Sequence, residues 1–194
     1  YIFPDVIKGI DEVLNNEGFS IILGHTANKI QNERDNLLKI LDKNIDGLIV
    51  EPSKSALPNP NFDLYKEISS SGIPVVFIHG FYKDLNYSYV IEDDERGGYL
   101  ATRHLLNLGH KKISGIFKVD DNQGHKRYMG YVKALKEAGF KIDDSQVFWY
   151  STEERETMFD NKAFTNNIVE LFEDYTAVVC YNDQITIRML DLMR

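Results

Sequence analysis

Arg127 stands where a cation is least expected. It falls in "GIFKVDDNQGHKRYMGY" (115–131), which reads as a short buried strand, a polar turn and then a helix. His125, Lys126 and Arg127 load positive side chains onto the first helical turn, where the macrodipole favours anions. A guanidinium is a flat fork of five donors that can grip two adjacent hydroxyl oxygens at once. Held at a crevice, Arg127 would exchange a small dipole penalty for ligand contacts. The plainer alternative is an ion pair with Asp120 or Asp121, both close in sequence.

Other polar side chains follow short apolar runs in the same way. Glu51 follows "GLIV", His79 follows "VVFI", and Lys118 and Asp121 follow "GIF". Thr152 follows "WYS", and Asn182–Asp183 follow "VVCY". In open parallel sheets the ligand crevice lies beyond the carboxyl ends of the strands. Donors and acceptors of mixed type, with Phe3, Tyr82 and Trp149 near other junctions, suit a small polyol. Each residue also has an ordinary structural role open to it. Asn182 and Asp183 can cap a helix, Glu51 can be solvated, His79 can be a satisfied half-buried imidazole, and the aromatics can be core.

Signatures of catalysis are missing. The sequence holds no G-x-x-x-x-G-K-[ST], no G-x-S-x-G and no H-E-x-x-H, and its five histidines lack metal-ligand spacing. The pairs Asp93–Asp94 and Asp120–Asp121 sit where capping explains them. No enzyme, cofactor or metal site is expected.

The elements that must position these residues alternate regularly. "FSIILGH" (19–25), "DGLIVE" (46–51), "IPVVFIHG" (73–80), "KISGIF" (112–117), "VFWY" (147–150) and "AVVC" (177–180) predict strands covered on both faces. Helical spacing lies between them, as in Val6, Ile10 and Leu14 before Gly18, Leu37, Leu38 and Leu41, and Tyr128, Val132 and Leu135 before Gly139. Strand–helix alternation implies right-handed crossovers and doubly wound parallel sheets, an α/β fold. The rhythm breaks at "FYKDLNYSYVIEDDERGG" (81–98), a tyrosine-rich loop, a short strand at 87–91 and an acidic turn. The passage between two lobes is placed there, giving 1–91 and 92–194. The chain opens at a helix entrance and stops inside a helix, so it reads as a piece truncated at both ends.

Composition agrees with a soluble α/β protein. Of 194 residues 43% are hydrophobic and 27% charged. No apolar run reaches membrane-spanning length. Cys180 is the only cysteine, at the end of an apolar run, which fits a buried thiol in a reducing cytosol. A net charge of -8 argues against direct nucleic-acid binding by this segment.

"HLLNLGHKKISGIF" (104–117), "QGHKRYMGYVKAL" (123–135) and "CYND" (180–183) resemble the effector-binding domain of LacI/GalR-type bacterial repressors. "YIFPDVIKGI" and "NERDNLLKILDKNIDGLIVEPSKSAL" are similar to the arabinose-operon repressor subgroup in particular. The resemblance implies a two-lobed periplasmic-binding-protein-like fold with a sugar, L-arabinose in that subgroup, between the lobes. It implies that Arg127 and Asn182 bind the sugar, with His79 at a position where some relatives carry Asp or Asn. Tyr1 and Phe3 correspond to a further contact loop, and Gln123 opens the arginine motif. Thr152 falls where some relatives place an aromatic ring. The subgroup attaches this domain to an N-terminal winged-helix module of the GntR type, implying a cytoplasmic homodimer that meets operator DNA through that module, with no membrane partner. The competing expectation is a solute-binding protein of a sugar ABC transporter, which shares fold and crevice.

Overall fold

The structure, a computed structural model, describes residues 2–194, and of residues 171–173 the backbone alone. Helix α1 (Ile2–Asn16) is followed by α2 (Ile30–Leu41), β1 (Leu48–Val50), α3 (Phe62–Ser70), β2 (Val75–Ile78) and β3 (Ser88–Val90). Helix α4 (Asp94–Asn107), β4 (Ile113–Lys118), α5 (Asn122–Glu137), β5 (Val147–Tyr150), α6 (Lys162–Asp174), β6 (Ala177–Cys180) and α7 (Asp183–Leu192) complete the described chain. The strands form two three-stranded parallel sheets, ordered β1-β2-β3 and β5-β4-β6, one per lobe.

Both-face cover, as the apolar runs predict, is found for the central strand of the second sheet but not in the first sheet, where Ile49 of β1 is 44% exposed. Strand β4 is buried at every position and pairs on both sides, Ile116 with Phe148 of β5 and with Cys180 of β6. Ile116, Tyr150, Ile185 and Met189 pack on one side of this sheet. Ile113, Phe117, Tyr131 and Val179 pack on the other, so helices cover both faces. The first sheet packs Val50, Val75 and Phe77 against Leu37, Leu64, Tyr65 and Ile68. Gly139 ends α5 at φ 80°, in the left-handed region open to a residue without Cβ.

Two further expectations need correction. The run 19–25 forms no strand, and Ile22 and Leu23 are exposed. A strand is defined by its neighbour, and this segment has no ladder partner among the described residues; β-rich composition alone cannot make one. Helix α2 turns Leu38 outward and gives its inner face to Leu37 and the carboxylate of Glu33, 1% exposed. Burial of that charge is tolerated because it accepts from Ser53 N at 2.7 Å, Asn59 Nδ2 at 2.8 Å and the Tyr82 hydroxyl at 3.0 Å.

Helices α4 and α5 approach closely enough to exclude a methyl group. A Cβ on Gly98 would lie 2.1 Å from the Arg127 carbonyl oxygen, and one on Gly130 would lie 1.9 Å from that of Glu95. The glycine three residues after Arg127 is therefore needed to bring the arginine's helix against α4.

Candidate functional site

A cavity of about 1430 Å³ opens between the lobes and continues beneath α1 along the first sheet. Its apolar arm is lined by Val6, Ile10, Ile21, Leu48 and Val76. Its polar arm gathers most of the residues that follow the strands. Phe3, Glu51, His79, Lys118, Asp121, Gln123, Arg127 and Asn182 all border the cavity. Tyr1 lies outside the described residues. Thr152 is buried and does not border the cavity; its hydroxyl accepts a 2.6 Å hydrogen bond from Asn28 Nδ2.

Arg127 projects from the first turns of α5 and is half-buried. Its Nε donates to Asp94 Oδ1 at 2.8 Å and its Nη1 to the Tyr181 carbonyl, with the guanidinium 4.8 Å from the Tyr181 ring centroid. The counter-ion is Asp94, at the start of α4, in place of Asp120 or Asp121. Both readings of the sequence thus meet in one side chain, which is paired and still borders the cavity. Nη2 has no protein hydrogen-bond partner among the described residues. Burial pushes the Asp94 carboxyl above the usual range, although Arg127 opposes that shift.

Asn182 shows the same double use. Its Oδ1 accepts from Ile185 N at 3.1 Å and caps α7, while no partner is found for Nδ2 among the described residues. Lys118 is paired with two carboxylates, 2.5 Å from Asp121 Oδ2 and 3.5 Å from Asp120 Oδ1. Asp121 also accepts from Asn28 Nδ2 at 3.0 Å. His79 sits at φ 61°, its Nδ1 2.5 Å from Glu92 and its ring centroid 5.2 Å from that of Phe3. Gln123 Oε1 accepts from the Tyr181 hydroxyl at 3.0 Å.

Glu51 differs from these because no hydrogen bond or ion pair is found for it among the described residues. Solvent reaches it through the cavity, yet protein surrounds it on most sides. That enclosure, followed by the charge of Asp121, raises its carboxyl from 4.5 to about 7, with Lys118 opposing and Glu92 adding to the rise.

Aromatic cover comes from different rings than the sequence suggests. Tyr82 is 2% exposed and belongs to the core, and Trp149 lies edge-on to Tyr128 and tilted against Phe117, away from the cavity. Tyr150 and Tyr181 border the cavity with Phe3. Tyr181 could have been found from its place between Cys180 and Asn182, where a strand end must face the crevice. Asn28 left no such signal, because its partners lie 93 and 124 residues away.

The arrangement can hold a small neutral guest. Three groups on the cavity wall already lie beside a carboxylate: Arg127 faces Asp94, Lys118 faces Asp120 and Asp121, and His79 Nδ1 is next to Glu92, while Lys43 and Arg155 also border the cavity. A phosphate would find no uncompensated positive charge among these three, whereas hydroxyls can use Arg127 Nη2, Asn182 Nδ2 and the Glu51 carboxyl. No group of three or more His, Cys, Asp or Glu suited to a metal ion is found among the described residues.

Residues 1–190 match the family described as periplasmic binding proteins and sugar binding domain of LacI family. The chain belongs to that family. It is 38% identical over 198 residues to the arabinose metabolism transcriptional repressor of Halalkalibacterium halodurans, covering 100% of this chain and 52% of that protein. The repressor of the same name from Geobacillus stearothermophilus is 37% identical over 196 residues, covering 100% of this chain and 53% of that protein. The chain therefore spans about half the length of these relatives. The crystal structure of transcription regulator CcpA of Lactococcus lactis superposes with a TM-score of 0.79 at 26% identity, over 98% of this chain and 67% of that one. At 20% identity, a periplasmic binding protein/LacI transcriptional regulator from Alkaliphilus metalliredigens, complexed with D-xylulofuranose, shares the fold with a TM-score of 0.78, over 99% of this chain and 66% of that one. This LacI-family domain is thus similar over its whole length to transcriptional repressors, which sets the transporter reading aside. No helix among the described residues is long and apolar enough to cross a membrane.

Proposed function

We propose that this domain is the sugar-sensing, non-catalytic effector domain of a bacterial transcriptional repressor, with L-arabinose as the inducer that weakens operator binding. The observation that carries the reading is Arg127 at the cavity wall, held by Asp94 and the Tyr181 carbonyl through Nε and Nη1 and with no protein partner for Nη2 among the described residues. Glu51 and Asn182 Nδ2 supply an acceptor and a donor for adjacent hydroxyls, and Phe3 and Tyr181 cover the C–H face. His79, Lys118, Asp121 and Gln123 hold these groups in place, and Thr152 acts from behind the wall. The arabinose assignment leans on similarity to the two arabinose metabolism repressors.

Residues 1–91 and 92–194 are the two lobes of this sensor. The protein works in the cytoplasm as a homodimer and meets operator DNA through an N-terminal module, since a net charge of -8 repels nucleic acid. Induction requires the sugar to bind one lobe arrangement better than the other; tight binding without that difference shifts nothing. The test is release of the full-length protein from a fragment of its own promoter. Arabinose is expected to release it, while an equal concentration of arabinose 5-phosphate leaves it bound; retention at saturating arabinose counts against the assignment.

A further inference from the structure

The two lobes are joined by a polar chain in which Asn28, Lys118 and Asp121 border the cavity, whereas Lys54, Asp120, Thr152 and Glu153 do not. Asn28 and Lys54 both have left-handed backbones, at φ 56° and 47°, which are costly for residues other than glycine and persist only where surrounding contacts enforce them. They are joined to each other, for Lys54 N donates to Asn28 Oδ1 at 2.8 Å. Both side chains then cross to the second lobe. Asn28 Nδ2 reaches Asp121 Oδ1 and Thr152 Oγ1, and Lys54 Nζ lies 2.7 Å from Glu153 Oε1 and 3.6 Å from Asp120 Oδ2.

The charges alternate along this path. Glu153, Lys54, Asp120, Lys118 and Asp121 follow one another, each within ion-pair distance of the next. Asp120 is also held by Thr152 N at 2.9 Å. Burial would raise the Asp120 carboxyl, but the Thr152 amide, Lys118 and Lys54 outweigh it and hold the group low. Three further bonds run alongside: Ala56 N to Asp120 O at 3.2 Å, Asn122 N to Ser55 Oγ at 2.9 Å, and Asn122 Nδ2 to Phe81 O at 3.0 Å.

We infer that Asn28 and Lys54 form an interlobe clasp that sets the closed population of the domain and thereby its ligand affinity. The orientation the clasp holds is the one in which Glu51 and His79 of the first lobe share a cavity with Arg127 and Asn182 of the second. Lys54 does not border that cavity, so it acts on the guest only through lobe position. Affinity scales with the fraction of molecules already in the competent arrangement.

The inference rests on the sugar-sensor reading for one of its two measurements. In the full-length protein, Lys54→Gln and Glu153→Gln are each expected to weaken arabinose affinity roughly two- to fivefold, the range of a partly exposed ion pair. The double variant is expected to be no weaker than Lys54→Gln alone, because the contact Glu153 makes across the lobes is the one to Lys54. X-ray scattering of the unliganded variants should show a larger radius of gyration than wild type. Unchanged affinity and scattering in both single variants would overturn the clasp, as would losses that multiply in the double variant. If the wild type ignores arabinose, the sensor reading fails, and the unliganded scattering still decides the clasp.

Discussion

Arg127 Nε lies 2.8 Å from Asp94 Oδ1, so the guanidinium that faces the cleft is also the counter-ion of a carboxylate only 4% exposed. Ligand binding and fold stability therefore converge on one side chain, and they can be separated by removing the partners in turn. Arg127→Ala is expected to lower sugar affinity by about 1.5–3 kcal/mol, roughly 10- to 150-fold. It should also destabilise the domain by about 3–5 kcal/mol, because Asp94 is left buried without its cation. Adding Asp94→Asn should restore much of the stability and none of the affinity, as read by denaturation and calorimetry on the same samples.

The close crossing of α4 and α5 gives a second expectation. Gly130→Ala sets a methyl group against the Glu95 carbonyl, where backbone must yield, at about 1–3 kcal/mol or more. Since α4 carries Asp94 and α5 carries Arg127, sugar affinity should fall with the melting temperature. Gly97→Ala is the control: nothing lies within 4 Å of its added Cβ, so the helical gain of about 0.5–1 kcal/mol should appear as a higher melting temperature.

Glu51 predicts a pH dependence of definite sign. Its carboxyl titrates at about 7 in the fold against 4.5 when free, so the folded state holds an extra proton between those values. The stability this contributes is full below 4.5, declines as pH rises, and levels off above about 7. Glu51→Gln removes that slope. Denaturant titrations at pH 5 and pH 8 should show a larger loss for wild type than for the variant.

Glu33 predicts a larger cost than its sequence context suggests. Glu33→Ala strips the acceptor from Ser53 N and Asn59 Nδ2, while the Tyr82 hydroxyl keeps the Ser53 carbonyl at 2.8 Å, and each buried donor left unmade costs about 1–3 kcal/mol. The loop from Ser53 to Asn61 should then become sensitive to limited proteolysis while β4 and its neighbours stay protected.

What the sequence revealed follows the range of the interactions involved. Strands β1, β2, β4, β5 and β6 were legible because mostly apolar, β-rich runs between helical spacings favour a paired strand in a sheet. Arg127 was legible as a cation close after a strand end, but the helix begins at Asn122, so Arg127 sits in the second turn and the expected conflict with the helix dipole is weak. The run 19–25 misled because its strand character depends on a neighbour, which local composition does not encode. Asn28, Lys54 and Glu33 went unread because their partners are distant: Asn28 finds Thr152 124 residues away, and Lys54 finds Glu153 99 residues away. Such residues look like ordinary solvated side chains until the lobes are assembled. Tyr82 and Trp149 were open to a core or a crevice role by type, and burial decides it: Tyr82 is core at 2% exposed, while Trp149 is 37% exposed and off the cavity.

Calorimetry on the intact protein tests the central claim most directly, titrating L-arabinose, xylose, ribose, galactose and arabinose 5-phosphate in parallel. A guest held by a half-paired guanidinium in a cleft where Arg127 and Lys118 already face carboxylates predicts saturable binding of the neutral pentose, lost in Arg127→Ala, with little or no heat from the phosphorylated sugar. Tighter binding of the phosphate than of arabinose, or arabinose binding untouched by the loss of Arg127, would contradict it.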